Sequence, residues 1–94
     1  MVSREDVIEL ARMGRVAPAP HFHGRSAHGA TFEKLAHQLV FTFRLDRDPR
    51  TEHARGWIAY TQNWGGEVYR VDLDLADAPD GEIILIVTGW KIEQ

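Results

Sequence analysis

From Val68 to Leu75 the chain alternates with a period of two. Val68, Arg70, Asp72 and Asp74 point one way, and Tyr69, Val71, Leu73 and Leu75 point the other. That is the pattern of a strand with one face on a core and one toward water. The run Ile83-Ile84-Leu85-Ile86-Val87 is apolar on both faces, which fits an interior strand partly covered by a helix. Before these, "GWIAYTQ" and "EVYRVDLDL" are joined by "NWGG", where Gly65 and Gly66 are expected to supply the positive φ of a tight hairpin. "ADAPDGE" marks the following turn.

Near the start the period becomes helical. Val7, Ile8, Leu10, Ala11 and Met13 form an apolar stripe, Ser3 is placed to cap it, and Glu5 and Asp6 put negative charge in the first turn. Gly14 suits the left-handed position that closes a helix, so the pattern predicts a helix over residues 4–13, packed on a sheet. Pro18 and Pro20 then impose extended geometry, giving a loop with a short edge strand near Val16. Residues 30–46 carry two patterns at once. Phe32, Leu35, Ala36, Leu39, Val40 and Phe43 match a helix, while Leu39, Phe41, Phe43 and Leu45 match a strand. The β-prone "LVFTF" favours a strand over residues 38–45, and residues 31–37 are read as a further strand of the same meander, with a short helix as the rival. "DRDPRTEHAR" is a charged turn centred on Pro49. The fold class that follows is α+β: one N-terminal helix packed on an antiparallel sheet of four to five strands, in a single domain spanning residues 1–94.

Composition narrows the function. A chain of 94 residues buries a modest core, and a homodimer would be a natural supplement. Cysteine is absent, which removes thiol nucleophiles, thiolate metal sites and disulfides together and fits a cytoplasmic protein. No stretch of 18 consecutive apolar residues exists, so no membrane span is expected, and the charged start does not read as a signal peptide. With 11 basic and 14 acidic residues the net charge is −3, which counts against a high-affinity nucleic-acid binder. Carboxylates gather late, at Asp72, Asp74, Asp77, Asp80 and Glu82. An acidic surface of this kind can meet a basic protein partner.

The candidate chemistry is concentrated in "HFHGRSAHG". His21 and His23 point the same way in an extended segment, and His28 could join them as a third imidazole ligand. No cysteine or carboxylate lies within the cluster, so solvated loop histidines are the simpler reading and no metal or cofactor is expected. His28 beside Arg25, or His53 beside Arg55, could instead pair a proton-transfer group with a fixed cation. Metal-free RNA cleavage needs that pairing: one group takes the 2′-hydroxyl proton, another protonates the leaving oxygen, and an arginine holds the phosphoryl group. Trp57, Tyr60, Tyr69 and Trp90 fall on the strands, where aromatics either stack bases or form core and cross-strand pairs; the second use is the simpler. Trp64 differs, because it sits inside the hairpin turn where its own strands cannot bury it. That makes it a candidate anchor for a protein partner. "GRSAHG" and "NWGG" are neither phosphate-cradling loops nor a serine nucleophile elbow, which disfavours ATP, NAD and serine-hydrolase chemistry.

"SREDVIELARMGRV", "EVYRVDLDL" and "EIILIVTGWK" together resemble small bacterial proteins of the RelE/BrnT-like toxin type, over about two-thirds of the chain. The resemblance implies an α+β fold and, for several members of that group, RNA cleavage without metal. The chain departs from the group in its negative charge and in having only Lys91 as a cation after Trp90, and no catalytic residue of the group maps onto it. Two functions are therefore carried forward. One is a non-enzymatic regulatory protein that binds another protein through Trp64, Asp72, Asp74, Asp77 and Asp80. The other is a metal-independent endoribonuclease of the toxin–antitoxin type, acting on RNA with Arg25, His28, His53 and Arg55.

Overall fold

The computed structural model describes residues 2–19, 31–48 and 56–92. In chain order these form α1 (Arg4–Arg12), β1 (Val16–Pro18), α2 (Phe32–Gln38), a 3-10 turn at Leu39–Phe41, β2 (Thr42–Arg47), β3 (Gly56–Gln62), β4 (Val68–Asp77) and β5 (Ile83–Ile92). The five strands make one sheet in the order β1-β5-β4-β3-β2. β2 to β5 are an antiparallel meander, and β1 adds to β5 in parallel, with Val16 beside Leu85. The mixed α+β class is as expected. β5 lies inside the sheet, where its two apolar faces suit it.

Several finer expectations are corrected. The sheet is mixed rather than wholly antiparallel, because β1 joins β5 in parallel, and two helices rather than one pack on it. Residues 31–37 are not a strand: α2 is a second helix, capped by the Thr31 hydroxyl, which accepts from Lys34 N at 3.2 Å. The helical pattern wins because Leu35 and Leu39, one helical turn apart, are both fully buried in the core that the helix forms with the sheet. The strand expected over residues 38–45 accordingly begins later, at Thr42, after the 3-10 turn. In the "NWGG" turn only Gly66 has positive φ, at 80°. Gly65 does not.

α1 is closed at both ends by local bonds that the sequence spells out. Asp6 N donates to Ser3 Oγ at 3.1 Å and Ser3 N donates to Asp6 Oδ2 at 3.0 Å, a reciprocal capping box with aspartate in the third position. At the other end Gly14 N reaches Ala11 O and Arg15 N reaches Leu10 O, with Gly14 at φ 73°. That is a Schellman closure, and it turns the chain directly into β1.

Both helices cover the same side of the sheet. Val7, Leu35 and Leu39 cluster with Trp57 and Ala59 of β3, Tyr69, Val71 and Leu73 of β4, and Leu85 and Val87 of β5. The registers Trp57↔Leu73↔Val87 and Ala59↔Val71↔Gly89 put these residues on one face. On the opposite face the strands pair Arg44↔Tyr60, Tyr60↔Arg70 and Arg70↔Trp90, a row of alternating cation and ring across four strands. The Arg44 guanidinium lies 5.5 Å from the Tyr60 ring and that of Arg70 lies 5.0 Å from the Trp90 ring. Asp46 and Asp72, two residues along from each arginine, complete the row with ion pairs of 2.9 and 3.0 Å. This face is thus tiled by cross-strand pairs rather than by a helix, among the described residues.

At Gly89 the approach of β5 to β4 leaves no room for a side chain. A Cβ there would collide with the Arg70 carbonyl oxygen and press on Val71 Cα, so backbone rather than a yielding side chain occupies the space. Gly89→Ala should therefore cost about 2 kcal/mol or more, read as a lower denaturation midpoint with an unchanged slope. Thr61 is completely buried on the core face and its hydroxyl has no hydrogen-bond partner. Thr61→Val keeps the shape and removes the orphaned group, so it should raise stability by about 1 kcal/mol in the same measurement.

Candidate functional site

The β3–β4 hairpin ends in a turn that is built to hold one side chain outward. Gly66 N donates to Asn63 O at 3.0 Å and Asn63 N donates to Glu67 O at 3.1 Å, with Gly66 in the left-handed region that lets the chain return. The Asn63 side chain fills the turn from within. Its Oδ1 accepts from Gly65 N at 3.1 Å and from Glu67 N at 3.0 Å, and its Nδ2 donates to Glu67 Oε1 at 3.1 Å. Glu67 in turn meets Lys91 of β5 at 3.0 Å, tying the turn to a third strand. Trp64 stands on this pedestal and is 94% exposed. Among the described residues its ring neighbour is Phe41, edge-on at 6.0 Å, and Phe41 meets His37 edge-on at 5.8 Å. Phe43, also exposed, comes two residues after Phe41.

An indole costs free energy when left in water, so a rigid turn that leaves one there calls for an explanation. The backbone beneath the tryptophan has little freedom left to lose, because Asn63, Gly66 and Glu67 already fix it. Burying the indole on a partner would release water at low conformational cost.

The acidic residues singled out in the sequence do not share a surface with it. Trp64 sits beyond the start of β4 and Asp77 at its end, about 30 Å away at ~3.3 Å per residue. Asp72 is bound to Arg70 on the tiled face. Asp74, on the same face, accepts from Leu75 N at 2.9 Å. Asp80 lies in the β4–β5 turn, held by both Nη atoms of Arg15 at 3.0 and 3.3 Å. The carboxylates are thus spread along a strand and a turn, and Asp72 and Asp80 already have cations of their own. Sequence spacing could not reveal this, because Arg15 is 65 residues from Asp80 along the chain.

His21, His23, His28, Arg25, His53 and Arg55 lie outside the described residues. Within the described residues the one histidine is His37, and no group of three or more His, Cys, Asp or Glu is arranged to hold a metal ion. The strand aromatics do not offer open ring faces for stacking in the way a base-binding sheet would. Tyr69 and Trp57 are buried, and Tyr60 and Trp90 each carry a guanidinium over one face. Phe41, which meets Trp64, and His37, which meets Phe41, are not candidate site residues on the sequence alone. The missing signal was α2 itself: once residues 32–38 are helical, His37 and Phe41 stand four apart and meet.

Comparison with known protein families, with curated proteins and with solved structures finds no match to the chain. The fold and the side chains therefore define its class without a relative. It is a small α+β module with a one-sided core, and no described helix is long and apolar enough to cross a membrane.

The pedestal has a titratable joint. The Asn63 amide, and after it the Lys91 ammonium, hold the Glu67 carboxyl below its ordinary value of 4.5. A carboxyl whose folded pKa is depressed stabilises the fold fully above the ordinary value, and that contribution is lost as pH falls through the lowered one. Glu67→Gln should therefore melt below the parent at neutral pH, and the two melting temperatures should converge as the pH is lowered past the ordinary carboxylate value and through the depressed one.

Proposed function

We propose that this protein acts by binding another protein, with Trp64 as the anchor of the contact. The observation that carries the reading is the exposure of Trp64 on a turn fastened by the Asn63 side chain and the Glu67–Lys91 pair. Tryptophan is among the residues most enriched where binding energy concentrates, and a fixed backbone lowers the entropy lost on docking. Phe41 and His37 extend the patch with ring edges, giving the partner an aromatic corner to enclose. The regulatory or inhibitory role expected for a small, mildly acidic protein rests on this surface. The carboxylates Asp72, Asp74, Asp77 and Asp80 contribute to its overall sign of charge rather than to the anchor.

The endoribonuclease reading needs Arg25, His28, His53 and Arg55 to converge, and no observation among the described residues favours it over binding. The two separate cleanly by experiment. Trp64→Ala should leave stability within about 0.5 kcal/mol of the parent, since the side chain has almost no contacts to lose. The same change should weaken capture of a co-purified partner about 30-fold or more, measured by titration of the isolated complex. RNA cleavage by the purified protein that persists with chelator, and is unchanged in Trp64→Ala, would overturn the binding reading.

A further inference from the structure

At the other end of the molecule a groove runs between α1 and the β4–β5 turn, with a volume of about 490 Å³. That lies in the range of sites that take up the apolar groups of a ligand. Its wall on α1 is formed by Asp6, Glu9, Leu10 and Met13, the i, i+3, i+4, i+7 positions of one helix face. Leu75 and Ile83 close it from the sheet side. Met13 is 61% exposed and Ile83 43% exposed, so the groove holds two of the large apolar side chains that the described residues leave in water.

The rim is acidic. Asp6 and Glu9 stand on one lip and Glu82 on the other. The carboxylates of Glu9 and Glu82 form no ion pair among the described residues. Arg15 is the one cation in the lining, and it is already committed: Nη1 and Nη2 bind Asp80, and Nε donates to the Ile83 carbonyl at 2.9 Å. An apolar floor between two negative lips, with its cation neutralised, selects the sign of what can cover it. A second copy of this chain docking by a two-fold axis would set these carboxylates against one another, so self-association through this groove is disfavoured.

We infer that this groove is a second docking site, which takes a basic amphipathic segment of a partner protein. An aliphatic side chain of that segment seats between Met13 and Ile83, and its lysines or arginines reach Glu9 and Glu82 across the two lips. The site is independent of the Trp64 corner, some seven residues of β4 away, and does not rest on it.

The test uses the full chain and a short fluorescent peptide with leucine and lysine at helical spacing. The peptide should bind the parent, and its affinity should fall as salt rises. The double change Glu9→Lys with Glu82→Lys should weaken it about tenfold or more. That variant should instead accept the peptide in which glutamate replaces lysine. Met13→Asp should also weaken binding of the leucine–lysine peptide, while Trp64→Ala should bind it like the parent, which separates this site from the anchor proposed above. All four positions are exposed, and matching melting curves will confirm that each variant folds. Equal binding of oligolysine would show charge attraction alone and overturn the inference. So would indifference to the double reversal, or concentration-dependent self-association of the parent that Met13→Asp abolishes.

Discussion

The seating of Val7, Leu35 and Leu39 on the apolar face of β3, β4 and β5 is the contact from which the other features follow. Two short helices supply those three side chains, and neither helix is long enough to be stable alone. Each is held by its cap and by the sheet, and the sheet gains a core only because they cover it. The strands in turn must approach closely enough to present a continuous surface, and Gly89 marks where that approach leaves no room even for a methyl group. Among the described residues both helices lie on one side of the sheet and none covers the other.

The consequence is a second face solved by different physics. Arg44, Tyr60, Arg70 and Trp90 lie side by side across four strands, each guanidinium over a ring and each paired with an aspartate two residues on. The arrangement shields ring surface with groups that are themselves comfortable near water, since an arginine stem packs while its head stays hydrated. It also gives one aspartate of β4 a place in the fold: Asp72 is part of the tiling. The edges are managed in the same spirit. β1 is three residues long and ends at Pro18, and β2 carries Arg44, Asp46 and Arg47, so neither edge offers a long, uncharged template for another strand.

Once the core and the tiled face are accounted for, the exposed apolar groups fall at two ends. Among the described residues, Trp64 and Phe43 stand toward one, and Met13 with Ile83 at the other. The β3–β4 and β4–β5 turns share a plan, with an i to i+3 bond and a left-handed glycine in fourth place: Gly66 after Asn63, Gly81 after Ala78. Their side chains put that plan to different uses. Asn63 braces the first turn from inside and leaves its tryptophan outward, while Asp80 of the second turns back to bind Arg15 and Glu82 N.

By itself the sequence determined the elements whose signal is local. Period-two alternation placed β4 and its core face, Ser3 and Gly14 marked α1, the apolar run placed β5 inside the sheet, and two glycine-bearing turns marked the hairpins. It also identified Trp64 as a side chain its own hairpin could not bury. Residues 31–41 were beyond its reach, because both periods were present and only the space above β5 chose between them. The parallel pairing of β1, the Arg15–Asp80 bond and the row from Arg44 to Trp90 were likewise decided by tertiary structure. Each joins residues distant along the chain, and which carboxylate meets which cation depends on register and packing that no short stretch encodes.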